Sequence, residues 1–191
     1  MNEPIQMRNF SERYPKTEKI DGEIYMMSAP CDEHIYVQGN LVYTFTDYFK
    51  RNKRKCRIMQ DAKTDIDANT FVKPDLKILC KGSNNGEIPV IVIEILSRST
   101  RDRDLGVKMK KYAELGVKEY WIITWEIVSI DIYLLNEEKK YDRYKSYVYY
   151  SSENELKDLD EDEKEHFVKE FSPVSFPELT VKLEDVFDIE F

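Results

Sequence analysis

The run IPVIVIEIL, from Ile88 to Leu96, is apolar at every position except Glu94. An uninterrupted apolar run of this length reads as a central strand covered on both faces. Pro89 sits at its start, where a missing amide donor is tolerated. Alternation puts Val90, Val92, Glu94 and Leu96 on one face and Ile91, Ile93 and Ile95 on the other. An ionised Glu94 there loses hydration worth several kcal/mol unless a cation or hydrogen bonds replace it. Nothing within the strand does so.

Downstream, residues 101–115 carry a helical pattern and Gly116 suits its C-terminal end. Ser99 with Asp102 resembles a capping box. The apolar segment EYWIITW, Glu119 to Trp125, follows. Strand, helix of about fifteen residues and strand form a crossover unit, so the two strands are expected to be parallel. Residues 127–135 alternate as a half-exposed strand, with 141–150 as its hairpin partner. Upstream, Asp21-Gly22 marks a hairpin within 16–27. Residues 32–49 carry an apolar stripe of Val37, Leu41, Phe45, Tyr48 and Phe49, which predicts a helix with Asp32 as its cap. Short strands are expected at 57–59, 63–67 and 72–80, a loop at 81–87, a late strand at 166–171 and a final helix at 183–187. Residues 9–14 read as a short helix or arm.

The chain has 191 residues, long enough for one domain with a real core, and no linker divides it, so residues 1–191 are read as a single domain. No apolar stretch approaches a membrane span and the N-terminus lacks an export-signal layout. Cys31, Cys56 and Cys80 are odd in number and form no CxxC, which predicts reduced thiols and a cytoplasmic location. The net charge is −8 but unevenly spread. Residues 50–57 hold six basic side chains and no acid, whereas 153–165 hold eight acids and two lysines. A net acidic chain can thus still carry a local phosphate-attracting patch.

A second carboxylate, Asp75, follows Pro74 at the start of an apolar segment, and the chain between Asp75 and Glu94 is long enough for a strand, a loop and an adjacent return. The two carboxylates can therefore meet. Hard oxygen ligands on rigid strands suit Mg2+ or Mn2+, with water and a substrate phosphate in the remaining positions. Such a site performs phosphoryl chemistry.

Pro74-Asp75 with Glu94-Ile95-Leu96 resembles the PD-(D/E)xK nuclease superfamily. The longer string Glu94-Ile95-Leu96-Ser97-x-Ser99-Thr100, with Asp104, Lys108, Tyr112 and Gly116-Val117-Lys118-Glu119-Tyr120-Trp121, is similar to the Uma-two-type restriction endonuclease family. Ile20-Asp21-Gly22-Glu23 and His34 match that family's N-terminal part. The resemblance covers most of the chain and is weakest after about Tyr150. It implies a mixed α/β fold with a restriction-endonuclease-like αβα core and peripheral antiparallel hairpins. It also implies a Mg2+-dependent endonuclease that cleaves DNA to leave a 5′-phosphate.

Leu96 occupies the position of the superfamily's ExK lysine, and the resemblance implies that the lysine has moved to the following helix. At about 100° per residue, a stripe of Leu105, Met109, Tyr112, Ala113 and Gly116 faces the sheet, Lys108 lies on its edge, Lys111 is further round and Lys110 points to solvent. Lys108 is therefore the candidate to orient or deprotonate the attacking water, or to stabilise the phosphorane. Asp75, Glu94 and the Ile95 backbone carbonyl are the candidate metal ligands. Glu23, His34 and Tyr112 form a second tier. His34 heads its helix stripe as a hydrogen-bonded core histidine, and the resemblance suggests a second-metal or water contact for Glu23. Arg98, Arg101 and Arg103, with the 50–57 run, are expected to hold the DNA backbone. Cutting two strands calls for two sites, hence an expected homodimer. The alternative is a dormant nuclease fold acting as a nucleic-acid-binding or regulatory module.

Overall fold

The computed structural model describes residues 17–26, 29–82, 88–97 and 100–188. Its elements are β1 (Thr17–Ile20), β2 (Glu23–Met26), α1 (Asp32–Arg51), β3 (Cys56–Gln60), β4 (Thr64–Asp67), β5 (Thr70–Val72), β6 (Leu76–Cys80) and β7 (Ile91–Ile95). A helical segment over 101–115 ends in α2 (Met109–Leu115). Next come β8 (Glu119–Thr124), β9 (Ser129–Leu135), β10 (Tyr141–Val148), β11 (Glu170–Phe171) and β12 (Val181–Lys182). The expected elements over 9–14 and 81–87 lie wholly or largely outside the described residues.

Six strands form the main sheet in the order β10-β9-β8-β7-β6-β3. β7 and β8 are parallel, with Ile91 opposite Glu119 and Glu94 opposite Ile122, and the other pairs are antiparallel. The alternation within β7 divides the core as the residue types dictate. Ile91, Ile93 and Ile95 pack beneath α1 with Val37, Leu41, Phe45 and Trp121. Val92 and Leu96 pack on the other face with Tyr112, Val117, Tyr120 and Ile122. The result is a helix–sheet–helix sandwich, with a smaller antiparallel sheet, β2-β1-β5-β4, beside it.

Several boundaries differ from expectation, each for a local reason. The segment expected as one strand over 72–80 is two, because Pro74 cannot donate to a ladder. β5 joins the small sheet and β6 the main one, leaving Asp75 at the junction. The N-cap of α1 is Cys31, not Asp32, which contributes an acid to the first turn instead. The expected cap Ser99 lies outside the described residues; Thr100 precedes the first helical turn, and its hydroxyl meets that of Ser97 at 2.9 Å. The late strand is only Glu170–Phe171, paired with Val181–Lys182.

The cysteine expectation is corrected. Cys56 and Cys80 are opposite one another in the β3–β6 register, 4.0 Å apart at Cα, and are joined by a disulfide. Only Cys31 is free, and it is exposed. One ground for a cytoplasmic location falls with this. Among the described residues no helix is long and apolar enough to cross a membrane.

Glu119, at the start of β8, is fully buried. Its carboxylate accepts the Trp121 indole N–H at 2.8 Å and the amides of Val174 and Ser175 at 3.3 and 2.8 Å. It ties the C-terminal segment to the sheet. Glu119→Ala leaves these donors without an acceptor and is expected to destabilise the fold by about 3 kcal/mol, read as a lower urea midpoint.

Candidate active site

Glu94 is buried like Glu119, but its surroundings differ. Its Oε1 lies 2.7 Å from Lys108 Nζ and accepts the Tyr112 hydroxyl at 2.7 Å. Its Oε2 accepts the backbone amide of Asp75 at 3.3 Å. In return, Asp75 Oδ2 accepts the amide of Ile95 at 2.8 Å. Each carboxylate thus takes an amide from the other's segment, which locks β6 and β7 together where both acids emerge. His34 Nε2 stands 3.2 Å from Asp75 Oδ2, and Gln38, one turn along α1, donates to the Asp75 carbonyl at 2.8 Å.

Lys108 is 1 % exposed. Its ammonium lies 3.0 Å from Asp104 Oδ1 and 3.1 Å from Glu18 Oε1, in addition to Glu94. The helix delivers it by an irregular route. Residues Asp104–Lys108 form a π-helical turn between Arg101–Arg103 and α2. The wider turn shifts the phase, so Asp104 and Lys108 point inward and Leu105, expected on the packed stripe, is exposed. Lys108 is therefore not on the edge of the buried stripe but within it.

Glu18 and Asp104 are the members that sequence reasoning did not assign. Glu18 shares a face of β1 with buried Ile20, two residues on, and that parity was its only signal. Asp104 precedes Lys108 by four residues, the spacing of a helical ion pair. Glu18 Oε1 also accepts the Lys73 amide at 2.8 Å, while its Oε2 is buried with no hydrogen-bond partner among the described residues. Glu23 lies outside the cluster; it is exposed and accepts the Tyr25 hydroxyl at 2.8 Å. Arg103 stacks over the Tyr25 ring at 4.9 Å, Arg101 is exposed, and Arg98 lies outside the described residues. Lys110 is exposed, and Lys111 pairs with Asp21 at 2.6 Å.

Burial pushes the Glu94 carboxyl well above the ordinary range; Lys108 opposes this, while Asp104, Asp75 and Glu18 add to it. Burial also raises Asp104. Asp75 is held below the usual carboxylate range: burial works against ionisation, but the His34 contact, the Ile95 amide and Lys108 together outweigh it. Burial works against the Lys108 ammonium too, yet Glu94, Asp104 and Glu18 drive it well above the normal lysine range. The site therefore holds a fixed cation and two linked carboxylates whose proton affinities are driven apart.

Glu18, Asp75, Glu94 and Asp104 face one ammonium and one imidazole. Hard oxygens with surplus negative charge, one of them an orphaned buried oxygen, fit a divalent cation of the Mg2+ or Mn2+ kind. Among the described residues, no three His, Cys, Asp or Glu side chains converge on one point. Lys108 stands between three of the carboxylates.

The profile of the family Uma2, described as "Putative restriction endonuclease", matches residues 3–164. The chain belongs to the Uma2 family. A relative, "Uncharacterized protein slr1290" of Synechocystis sp., is 28% identical over 144 residues, covering 71% of this chain and 75% of that protein. A crystal structure described as "a putative nuclease belonging to DUF820", from Anabaena variabilis ATCC 29413, superposes with a TM-score of 0.66. The two are 18% identical, and the match covers 97% of this chain and 98% of that one, so the Uma2 chain shares that protein's fold.

Proposed function

We propose that this Uma2 protein is a metal-dependent endonuclease that hydrolyses phosphodiester bonds in DNA. The observation that carries the reading is the buried Lys108 ammonium, 2.7 Å from Glu94, supplied by a helix because the strand offers only Leu96. Asp75 and Glu94, with the Ile95 carbonyl, would hold Mg2+ or Mn2+. A divalent cation there supplies Lewis acidity to the phosphoryl group and favours ionisation of a water.

The protein's own groups do the rest. The hydrogen bonds donated by the Ile95 amide to Asp75 and by the Asp75 amide to Glu94 fix both carboxylates before substrate arrives, which lowers the reorganisation needed in the transition state. Tyr112 holds Glu94 by its hydroxyl, and His34 orients Asp75. Lys108 stays cationic among its carboxylates. Its role is thus to orient the attacking water and stabilise charge on the phosphorane, not to act as the base. Arg101 and Arg103, with Arg98, hold the scissile strand's backbone, and a homodimer supplies two such centres for a duplex.

The test is incubation of supercoiled plasmid with the purified protein and Mg2+ or Mn2+, with and without chelator. Nicking that depends on the metal is expected. Intact DNA binding with no cleavage of any DNA form would make the protein a dormant binding module instead.

A further inference from the structure

Away from the carboxylates, the end of α1 and the start of β3 enclose an open cleft of about 380 Å³. Thr46, Lys50, Lys53, Arg54 and Arg57 line it above an apolar floor of Phe49 and Ile58. Arg54 pairs with Glu178 at 2.8 Å, and Arg51 beside it pairs with Asp47 at 2.8 Å. Among the described residues, no carboxylate lies within ion-pair distance, 4.0 Å, of Lys50, Lys53 or Arg57. The partial negative charge of a helix C-terminus favours Lys50 and Arg51. It does not explain Lys53, past the helix end, or Arg57, on the strand. In a chain of net charge −8, unpaired cations gathered round one cleft repel one another and favour an anionic occupant.

The fold says where that occupant runs. β3 carries Arg57 near one end, and just beyond its other end the Asp61 amide donates to the Asp75 carbonyl at 3.2 Å. At about 3.3 Å per strand residue, Arg57 lies about 13 Å from that contact, and at about 1.5 Å per helical residue Lys50 lies about 24 Å along α1 from His34, which touches Asp75. At about 3.4 Å per nucleotide, these distances are about four to seven steps of a DNA strand.

We infer that the Lys50–Arg57 cleft is a second phosphate-backbone site that holds DNA about four to seven nucleotides from the scissile bond. This rests on the nuclease reading. The cleft binds phosphates without reading sequence, so it sets affinity and register on the duplex.

The triple variant Lys50→Gln, Lys53→Gln, Arg57→Gln tests this. These side chains are exposed, so the fold is expected to survive, and its melting temperature is checked against wild type. Binding of a fluorescein-labelled duplex is measured by anisotropy in chelator across a salt series. The variant is expected to bind about tenfold more weakly, with a salt slope smaller by about 2 to 3. Hydrolysis of bis(p-nitrophenyl) phosphate, too small to reach the cleft, is expected to be unchanged. Equal affinity and slope in variant and wild type would overturn the inference. So would unchanged DNA binding together with loss of a dimer in sedimentation, because the cleft would then hold the acidic 153–165 segment of a second copy. If wild type hydrolyses neither plasmid nor the small diester while the variant still loses DNA affinity, the cleft stands and the nuclease reading falls.

Discussion

Lys108→Met is expected to reduce metal-dependent nicking by at least about 100-fold and to lower the melting temperature by about 10 °C. Lys108 is buried and touches Glu94, Asp104 and Glu18 within 3.1 Å. Methionine replaces the unbranched stem as far as Cε, so packing changes little, but three buried carboxylates lose their shared cation. Breaking such a group by removing one partner costs roughly 3 to 5 kcal/mol. A signature beyond simple instability is expected. Deprived of the ammonium, the carboxylates should recruit Mg2+ more strongly, so the metal should raise the variant's melting temperature more than that of wild type. A variant that melts like wild type and ignores Mg2+ would show that Lys108 is not what neutralises the cluster.

Glu94→Gln is expected to have the opposite effect on stability. Cleavage should again fall by at least about 100-fold, because the amide cannot serve as an anionic ligand. The melting temperature should rise by about 2 to 4 °C, the equivalent of about 1 kcal/mol in a chain of this size. The reason is the surplus of negative charge: burial and three neighbouring carboxylates penalise ionised Glu94, the amide oxygen still serves Lys108 and Tyr112 while only the long 3.3 Å contact from the Asp75 amide is given up, and Lys108 keeps Asp104 and Glu18. The pH dependence follows from the direction of the shift. An acid whose folded-state pKa is raised binds its proton more tightly in the fold. The penalty is absent below the unfolded value of about 4.3 and grows as pH rises toward and through the folded value. Wild type should therefore lose stability relative to Glu94→Gln as pH increases above about 4. Parallel melting curves over that range would contradict the charge surplus.

The parts of this site that were legible in the sequence are those set by strand parity. A lone acid in an apolar run, with isoleucines on one face and Val92 and Leu96 on the other, announced both the central strand and the burial of Glu94. Asp75 was legible because Pro74 ends one strand and lets the next begin beside β7. The helix phase selected Lys108, yet placed it at the stripe's edge, because periodicity at 3.6 residues cannot foresee a π turn. The exposure of Leu105 is the visible trace of that error. Glu18 was hidden in a four-residue, mostly polar strand whose inward face exists only once the small sheet docks on the main one. The Cys56–Cys80 disulfide depends on the register of β3 against β6, a relation across 24 positions that spacing does not encode.

If the buried acids around Lys108 form a hydrolytic centre, its rate depends on the Glu94 carboxylate. The most direct test is the initial rate at which supercoiled plasmid is nicked by wild type and by Glu94→Gln, side by side, at saturating Mg2+. Wild type is expected to nick measurably, with the activity abolished by chelator, and the variant to lose at least about 100-fold while melting no lower than wild type. A folded Glu94→Gln protein that nicks within about threefold of the wild-type rate would contradict that dependence.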